Sequence, residues 1–555
     1  MSKKFSSPGF VLLIVLFCVF PIILPYLHKG YFPTHDGEWA VVRLGDMFRE
    51  LKDHQFPARY SGNLNFEYGY PLFNFTYPAP YYIGVAFHFF HLGFVNTIKL
   101  LFALSVLFSA GGMFVLSRLI WKNNWAAFTS SFLYSYYPYR IVDLYARGSI
   151  GESLSFALFP FIIYFVLKTF EEKKKRVYFA MAVISYVGLI LTHNIMALLF
   201  SPVLMVIIIT ALSQNEWKKS LRALSFIVLS YALAAFFFLP ALFEKNNILL
   251  SYIPIADRNI YFVHLAQLLL PKWGYGLPDH PDGFSYQMGW AQILVLIVVL
   301  LLIIYGMLKK KNYFASFETK VVGVLVTMSV LSILLMFSFS AVVWQLPFLK
   351  EINYPWTLLG ILGFLVSLSA GFLWTKFKAG KYILIVCCAL AIFMILPYAK
   401  PSEFFDKGDG YYLTNEGTTT SSQELMPLWV KTQPTQSPAQ KVEVISGSSK
   451  IDNVHTQSNL TTFSLTSERS STVRINTIYY PGWKILVDSM PTKISYSNSQ
   501  GVMDITIPKG QHQVQAIFNE TPLRLVSDII SMGGLAILVF LVVLGFTKSK
   551  ILDLL

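Results

Sequence analysis

Asp36 and Glu38 stand in the segment Thr34-His35-Asp36-Gly37-Glu38, just past the first hydrophobic stretch of the chain. A carboxylate so placed can act as a general base, or as a metal-linked group, that activates an acceptor hydroxyl. Ala40, Leu44, Met47, Phe48 and Leu51 then recur at helical spacing, which predicts an amphipathic helix starting near Asp36. Arg43 lies seven residues on, roughly two turns along the same face. An acid and a base held together at a membrane boundary suit a reaction on a charged, lipid-linked substrate. A purely structural reading competes: Asp36 as the helix N-cap, and Glu38 as a complement to the helix dipole. The two are compatible, because a helix start is also an anion site.

Further along, Asp143 and Arg147 are four residues apart and Glu152 follows. They read either as a helical ion pair or as charges facing a cavity, with Asp143 or Glu152 joining Asp36 at a divalent ion. The planar guanidinium of Arg147 suits phosphate oxygens, as do those of Arg43 and Arg59. His193 interrupts an apolar run, either as a hydrogen-bonded helix-end residue or as a proton or phosphate contact. Glu351 opens Glu351-Ile352-Asn353-Tyr354-Pro355-Trp356, which reads as a cap followed by an aromatic anchor. The aromatic, Pro-rich and Gly-rich stretch from Gln55 to Pro80 suits an ordered interfacial loop, or a groove that stacks on a sugar ring. There is no P-loop, no strand-borne GxGxxG, no HExxH and no GxSxG. The sequons at Asn74, Asn459 and Asn519 are patterns short enough to arise by chance.

These residues need elements to hold them. The chain has 555 residues, of which 55% are hydrophobic and only 13% charged, the balance of an integral membrane protein. Its formal charge of +14 does not point to nucleic acid. The basic residues (Lys173–Arg176, Lys218, Lys219, Arg222, Lys309–Lys311, Lys376, Lys378, Lys381, Lys548, Lys550) fall between or beside apolar spans, the positive-inside pattern of cytoplasmic loops. Cys18, Cys387 and Cys388 lie within apolar spans and imply neither a disulfide framework nor a thiolate metal site. The first span, after Lys3 and Lys4, has no small-residue cleavage site and reads as an uncleaved helix.

About twelve transmembrane helices are expected, at 8–27, 96–120, 125–140, 153–169, 177–193, 195–213, 223–243, 289–308, 321–340, 355–375, 382–398 and 526–547. Residues 80–92 read as a juxtamembrane or re-entrant helix. With the N-terminus inside, every strongly basic loop is cytoplasmic, and 28–95, 141–152, 244–288, 341–354 and 399–525 lie outside. Residues 399–525 change character: period-two stretches at 441–446, 472–479, 483–487, 501–507 and 513–518 predict an extracytoplasmic β-sandwich. The expected organisation is a transmembrane module (1–398) with a first external loop (28–95), the β-rich domain (399–525), and a closing helix with a short cytoplasmic tail (526–555).

"HDGEWAVVRLGDMFRELKDHQFPARYS" followed by "YGYPLFNFTYPAPYYIG" resembles the first external loop of GT-C-fold glycosyltransferases. The likeness is closest to the bacterial YfhO-like group, including membrane proteins labelled "6-pyruvoyl-tetrahydropterin synthase related". "YSYYPYRIVDLYARGSIGESLSFALFPF", "LTHNIMALL", "INYPWTLLGI", "YYPGWKILVDSMPTKI" and "GVMDITIPKGQHQVQAIF" extend it over most of the chain. The resemblance implies a GT-C-like fold in the plasma membrane and transfer of a sugar from a polyprenyl-phosphate donor to an extracytoplasmic glycan, lipid or protein. Asp36 would be the catalytic carboxylate of an inverting displacement, seconded by Glu38. Arg43, Arg59 or Arg147 would bind the donor phosphate, with Mg²⁺ or Mn²⁺ as a possible cofactor. Two departures stand out. Gly37 separates Asp36 from Glu38 where relatives often have adjacent Asp-Glu, and Thr357 follows Pro355-Trp356 where relatives often have Arg. The pterin label finds no three-histidine zinc set in the sequence. The rival expectations are a transporter or flippase of lipid-linked saccharides, which needs mid-membrane charges and repeats, and a non-catalytic cell-envelope scaffold.

Overall fold

A computed structural model describes residues 7–171, 175–212, 217–253, 255–277, 283–309, 312–414 and 417–546. Lys3, Lys4, Lys173, Lys174, Lys310, Lys311, Lys548, Lys550 and the tail 547–555 lie outside the described residues. The chain enters through α1 (Pro8–Ile23). The first loop follows, with α2 (Gly37–Lys52), a single turn α3 (Leu72–Phe75) and α4 (Ala79–His88). The bundle continues with α5 (Phe94–Trp121), α6 (Asn124–Ser135), α7 (Pro138–Val142), α8 (Ile150–Thr169), α9 (Lys175–Thr192), α10 (Asn194–Ala211) and α11 (Trp217–Phe243). The short α12 (Leu265–Leu269) precedes α13 (Trp290–Lys309), α14 (Phe317–Leu335), α15 (Leu358–Lys376) and α16 (Gly380–Ile395). The turn α17 (Asp409–Leu413) leads to the strands, and α18 (Pro522–Phe546) closes the fold.

Among the described residues, 11 helices are long and apolar enough to cross a membrane. They match the expected spans except at 125–140. There the chain forms only the 12-residue α6, breaks at Tyr136-Tyr137, and resumes in α7 and a π-helical turn at Asp143–Arg147. Pro138 explains the break, since it drives the preceding residue out of helical geometry, and Tyr137 is extended (φ −69°, ψ 130°). This interrupted element still runs the length of the bundle. At one end Lys122 pairs with Glu318 of α14, and at the other the Ala146 carbonyl accepts from the His35 N–H (3.0 Å). The juxtamembrane or re-entrant helix expected at 80–92 is present as the shorter α4.

The span that carries α15 is buried from Pro355 to Leu373 and forms the centre of the bundle. Its glycines allow close packing, as small residues do between membrane helices. A Cβ at Gly363 would meet the Tyr137 ring at 2.4 Å, and one at Gly371 would meet Trp121 at 2.1 Å.

The β-rich region holds two antiparallel sheets. β1 (Val442–Ser446), β4 (Ser471–Ile478) and β7 (Val502–Ile507) form one, in the order β1-β4-β7. The other has the order β2-β3-β8-β5-β6, from β2 (Ser449–Gln457), β3 (Leu460–Ser467), β5 (Trp483–Val487), β6 (Met490–Thr492) and β8 (Gly510–Phe518). Alternate residues are buried, with Val473, Ile475, Ile505 and Ile507 on one sheet and Phe463, Leu465, Ile485, Val514 and Ala516 on the other.

This region is tied to the first loop by main-chain contacts: Ile478 N–H donates to Tyr68 O (2.8 Å) and the Tyr60 hydroxyl to Ile478 O (2.8 Å). A buried hub lies beneath. Glu244 accepts from Arg524 through both Nε (3.0 Å) and an Nη (2.7 Å), and also from Asn74 (2.9 Å), which buries that sequon. Removing one partner of a buried pair strands the other charge, so Arg524→Met should cost about 3–5 kcal/mol. Glu244→Gln with Arg524→Met should cost less than Arg524→Met alone. Unfolding of the three proteins in detergent measures this, and a double variant that merely adds the two losses would show that the pair is not a unit.

Candidate active site at the start of α2

Asp36 sits at the N-terminus of α2, as the periodicity predicts, but its side chain does not cap the helix. The Thr34 hydroxyl takes that role, accepting from the Gly37 N–H at 3.0 Å. The half-buried Asp36 carboxylate makes no hydrogen bond or ion pair with any described residue. Its backbone is fixed instead, because Asp36 N–H donates to the Arg147 carbonyl at 2.8 Å. Glycine is required on both sides of this contact. A Cβ at Gly37 would meet the Thr34 and Tyr31 oxygens, both at 2.4 Å. Gly148, at φ +65°, ends the π-helical turn in a left-handed conformation, and a Cβ there would lie 2.2 Å from Thr34 Oγ1. The glycine that parts Asp36 from Glu38 therefore has a steric cause.

Around Asp36 lie His35, Tyr77, Tyr81 and Tyr354, all within electrostatic reach of its charge. The His35 Nε2 contacts the Tyr275 carbonyl at 3.0 Å, and burial holds this imidazole below its ordinary pKa. Tyr77 stacks on His193 (5.3 Å between ring centroids). His193 Nδ1 accepts from the Met196 N–H at the start of α10, so the neutral ring carries its proton on Nε2, 4.0 Å from Glu152. Burial pulls His193 down to about 4, so it is neutral at physiological pH.

Glu152 is bound to Arg147 (2.5 Å) and accepts from the Tyr139 hydroxyl (2.7 Å). Arg147 also donates to Tyr139 (2.7 Å), lies 3.6 Å from Asp143 and stacks over Trp356 (4.7 Å). Asp143 is fully buried between Arg140 and Arg147 and accepts from Ser153.

The sequence candidates thus separate. Asp36, Arg43, Arg147, Glu152 and His193 gather at one end of the bundle. Glu38 points elsewhere, to the Tyr412 hydroxyl (3.1 Å) and Lys407 (3.4 Å). It lines a cavity of about 490 Å³ with Trp39, Val42, Phe66 and Tyr411. Arg59 is not a phosphate ligand in waiting: it is buried against Glu520 (3.2 Å) and Asp528 (2.9 Å), clamping the first loop to α18. Glu351 pairs with Lys245 at 2.8 Å, apart from the cluster. Among the three arginines, only Arg43 has no carboxylate partner among the described residues. Its bonds go to the Thr419 hydroxyl (3.0 Å) and carbonyl, and Tyr77 and Tyr81 lie next to it as well as to Asp36.

Asp143, Glu152 and Glu38 are each already paired, and among the described residues no three His, Cys, Asp or Glu side chains group to hold a metal. This donor set does not fit a divalent ion beside Asp36. A larger cavity, of about 650 Å³, lies at the C-terminal end of α10 among Val206, Ile303, Met307 and Val326, away from His193. His35, Tyr77, Tyr81 and Tyr354 were not among the sequence candidates. The aromatic density around Tyr77 was the available signal.

Residues 73–402 match the family described as 6-pyruvoyl-tetrahydropterin synthase related domain, membrane protein. The chain belongs to this family. Arg147, Glu152, His193 and Trp356 fall inside the family's matched span, and Asp36 and Arg43 precede it. No curated protein matches the chain. Several solved structures are similar to it. The arabinofuranosyltransferase AftD from Mycobacteria is 14% identical, with a TM-score of 0.45, over 74% of this chain and 28% of its own. The Archaeoglobus fulgidus oligosaccharyltransferase is 13% identical, with a TM-score of 0.49, over 77% of this chain and 61% of its own. ArnT from Cupriavidus metallidurans, solved with undecaprenyl phosphate, is 14% identical, with a TM-score of 0.32, over 66% of this chain and 78% of its own. The family member described here therefore spans about a quarter of AftD and three fifths of the oligosaccharyltransferase.

Because Thr34 rather than Asp36 caps α2, Thr34→Ala should cost about 1 kcal/mol. Asp36→Asn should stay within about 0.5 kcal/mol of the parent, like other substitutions outside a core or cap. Thermal unfolding of the two variants checks this ordering, and a reversed order would return the cap to Asp36.

Proposed function

We propose that the chain is a membrane glycosyltransferase that moves a sugar from a polyprenyl-phosphate carrier to an acceptor hydroxyl, with Asp36 as general base. The observation that carries this reading is the unpaired Asp36 carboxylate, fixed through its backbone to Arg147, in a cluster where the neighbouring acids are already paired. Asp36 and Arg43 share Tyr77 and Tyr81 as neighbours, which puts a free carboxylate and a cation without an acidic partner on one patch. The resemblance of the first loop to GT-C transferases supports the same assignment.

In this mechanism the acceptor oxygen attacks the anomeric carbon on the face opposite the phosphate. Its proton passes to Asp36 as the new C–O bond forms, while the bond from sugar to phosphate breaks and its electron pair leaves on the lipid phosphate. Arg43 meets the charge that develops on that phosphate. Neutral His193 and the tyrosines supply walls that pack without adding charge. Glu152 and Asp143 hold Arg147, whose carbonyl positions Asp36. No step passes through a metal ion. The Glu38 cavity, with Trp39, Tyr411 and Tyr412, offers aromatic faces and one carboxylate to an acceptor sugar. By the positive-inside pattern, this end of the bundle faces away from the cytoplasm.

A positioned general base contributes about 10²–10⁴-fold, so Asp36→Asn should reduce transfer of radiolabelled sugar from a polyprenyl-phosphate donor by that factor without loss of folding. Arg43→Gln should also slow transfer, while Glu351→Gln should not. Wild-type turnover by the Asp36→Asn protein would remove the base from this proposal.

A further inference from the structure

A second acidic group lies further along α2, outside the machinery described above. Asp46 and Glu50 are one helical turn apart on the same face and are 2% and 0% exposed. Neither Asp46 oxygen has a hydrogen-bond partner. Glu50 accepts from Gln55 Nε2 (2.6 Å) and the Gly62 N–H (3.1 Å), which leaves further lone pairs on its oxygens. No described cation forms an ion pair with either carboxylate. Arg49 is near Asp46 but donates to the Leu413 carbonyl (3.0 Å).

Two hydroxyls provide an independent observation. Ser61 lies beside Asp46 and Ser458 beside Glu50. Both serines are more than nine-tenths buried, and each Oγ faces a carboxylate without a hydrogen bond of good distance and angle. Asn63 also adjoins Asp46. Ser458 belongs to the turn between β2 and β3, and the two segments meet without space between them: a Cβ at Gly62 would stand 2.5 Å from the Ser458 Cα. The Ser458 N–H donates to Asp53, whose charge adds to the negative field at Glu50. Burial pushes the Asp46 carboxyl up to about 6 and holds Glu50 well above the usual carboxylate range. Without a counter-ion such buried carboxyls hold their protons; once ionised, the pair calls for a cation.

We propose that Asp46, Glu50, Ser61, Asn63 and Ser458 bind one calcium ion that fastens α2 to the β-rich region. Carboxylate and hydroxyl oxygens, with the Asn63 amide turned to present its Oδ1, make a hard, mixed set that suits Ca²⁺, which accepts six to eight oxygens in flexible geometry. Mg²⁺ demands a stricter octahedron and retains more water than a fully buried pocket admits. The ion neutralises both carboxylates and satisfies both orphaned hydroxyls at once. Asp36 lies outside this ligand set, so the site stands or falls independently of the proposed transfer reaction.

The test uses the full chain in detergent, stripped with EGTA and titrated with Ca²⁺ by equilibrium dialysis, with Tb³⁺ luminescence as a second probe. The wild type should take up a single equivalent, and its melting temperature should rise with free Ca²⁺. Asp46→Asn with Glu50→Gln should lose that equivalent, and Ser458→Ala should bind severalfold more weakly while melting like wild type in EGTA. Asp36→Asn should bind normally. Absence of a stoichiometric ion in the wild-type protein overturns the proposal whatever the variants do, as does undiminished binding by the double variant or by Ser458→Ala.

Discussion

The guanidinium of Arg147 is the contact on which the site depends. It is shared by Glu152, Asp143, Tyr139 and Trp356, which come from α8, the π-helical turn, α7 and the segment before α15. A planar group with five donors can satisfy that many partners at once, and an ammonium cannot. Because this side chain is immobilised, its own carbonyl becomes a fixed acceptor, and Asp36 N–H is attached to it. The position of the carboxylate in the first loop is thus set by a salt bridge more than a hundred residues away. Gly37 and Gly148 are the steric condition for that attachment.

A second layer holds the first loop from the other side. Asp409 caps α5 from a distance, accepting from the Phe94 (2.8 Å) and Val95 (2.9 Å) N–H groups. Tyr31 and Phe405 form an isolated antiparallel bridge, Tyr412 binds Glu38, and Thr419 binds Arg43. Residues 400–414 and 417–420 therefore lie against the first loop as a strap, and the β-rich region adds to it through Tyr60, Tyr68 and Ile478. α2 is gripped between the bundle and the domain that follows it. Little of it is at the surface.

How much of this was legible in the sequence depends on the range of the interaction concerned. Apolar length revealed the membrane helices, and the 3.6-residue period revealed α2, because both are local. Pro138 was visible in the stretch read as 125–140, yet the uniform hydropathy of its surroundings hid the break. β2 and β3 escaped because their outward faces are Ser, Thr, Asn and His, and because β2 carries a register shift between Asp452 and His455 that spoils its alternation. For the site, Asp36 could be picked out by type and place, but of its two readings the capping hydrogen bond belongs to Thr34, a choice between two oxygen-bearing side chains that only the backbone decides. Arg59 looked like Arg43 and Arg147 because its partners, Glu520 and Asp528, enter from the far end of the chain. Charge pairing across hundreds of residues leaves no local trace.

The buried central helix has a consequence for how the protein can move. α15 touches Tyr137, Trp121 and Phe156 through its glycines, and Trp121 donates to the Leu368 carbonyl at 2.9 Å. A carrier that rocks two halves past one another needs a greased seam through its middle. Here that position is occupied by a mast gripped on several sides, which leaves no such seam where Gly360, Gly363 and Gly371 meet their neighbours.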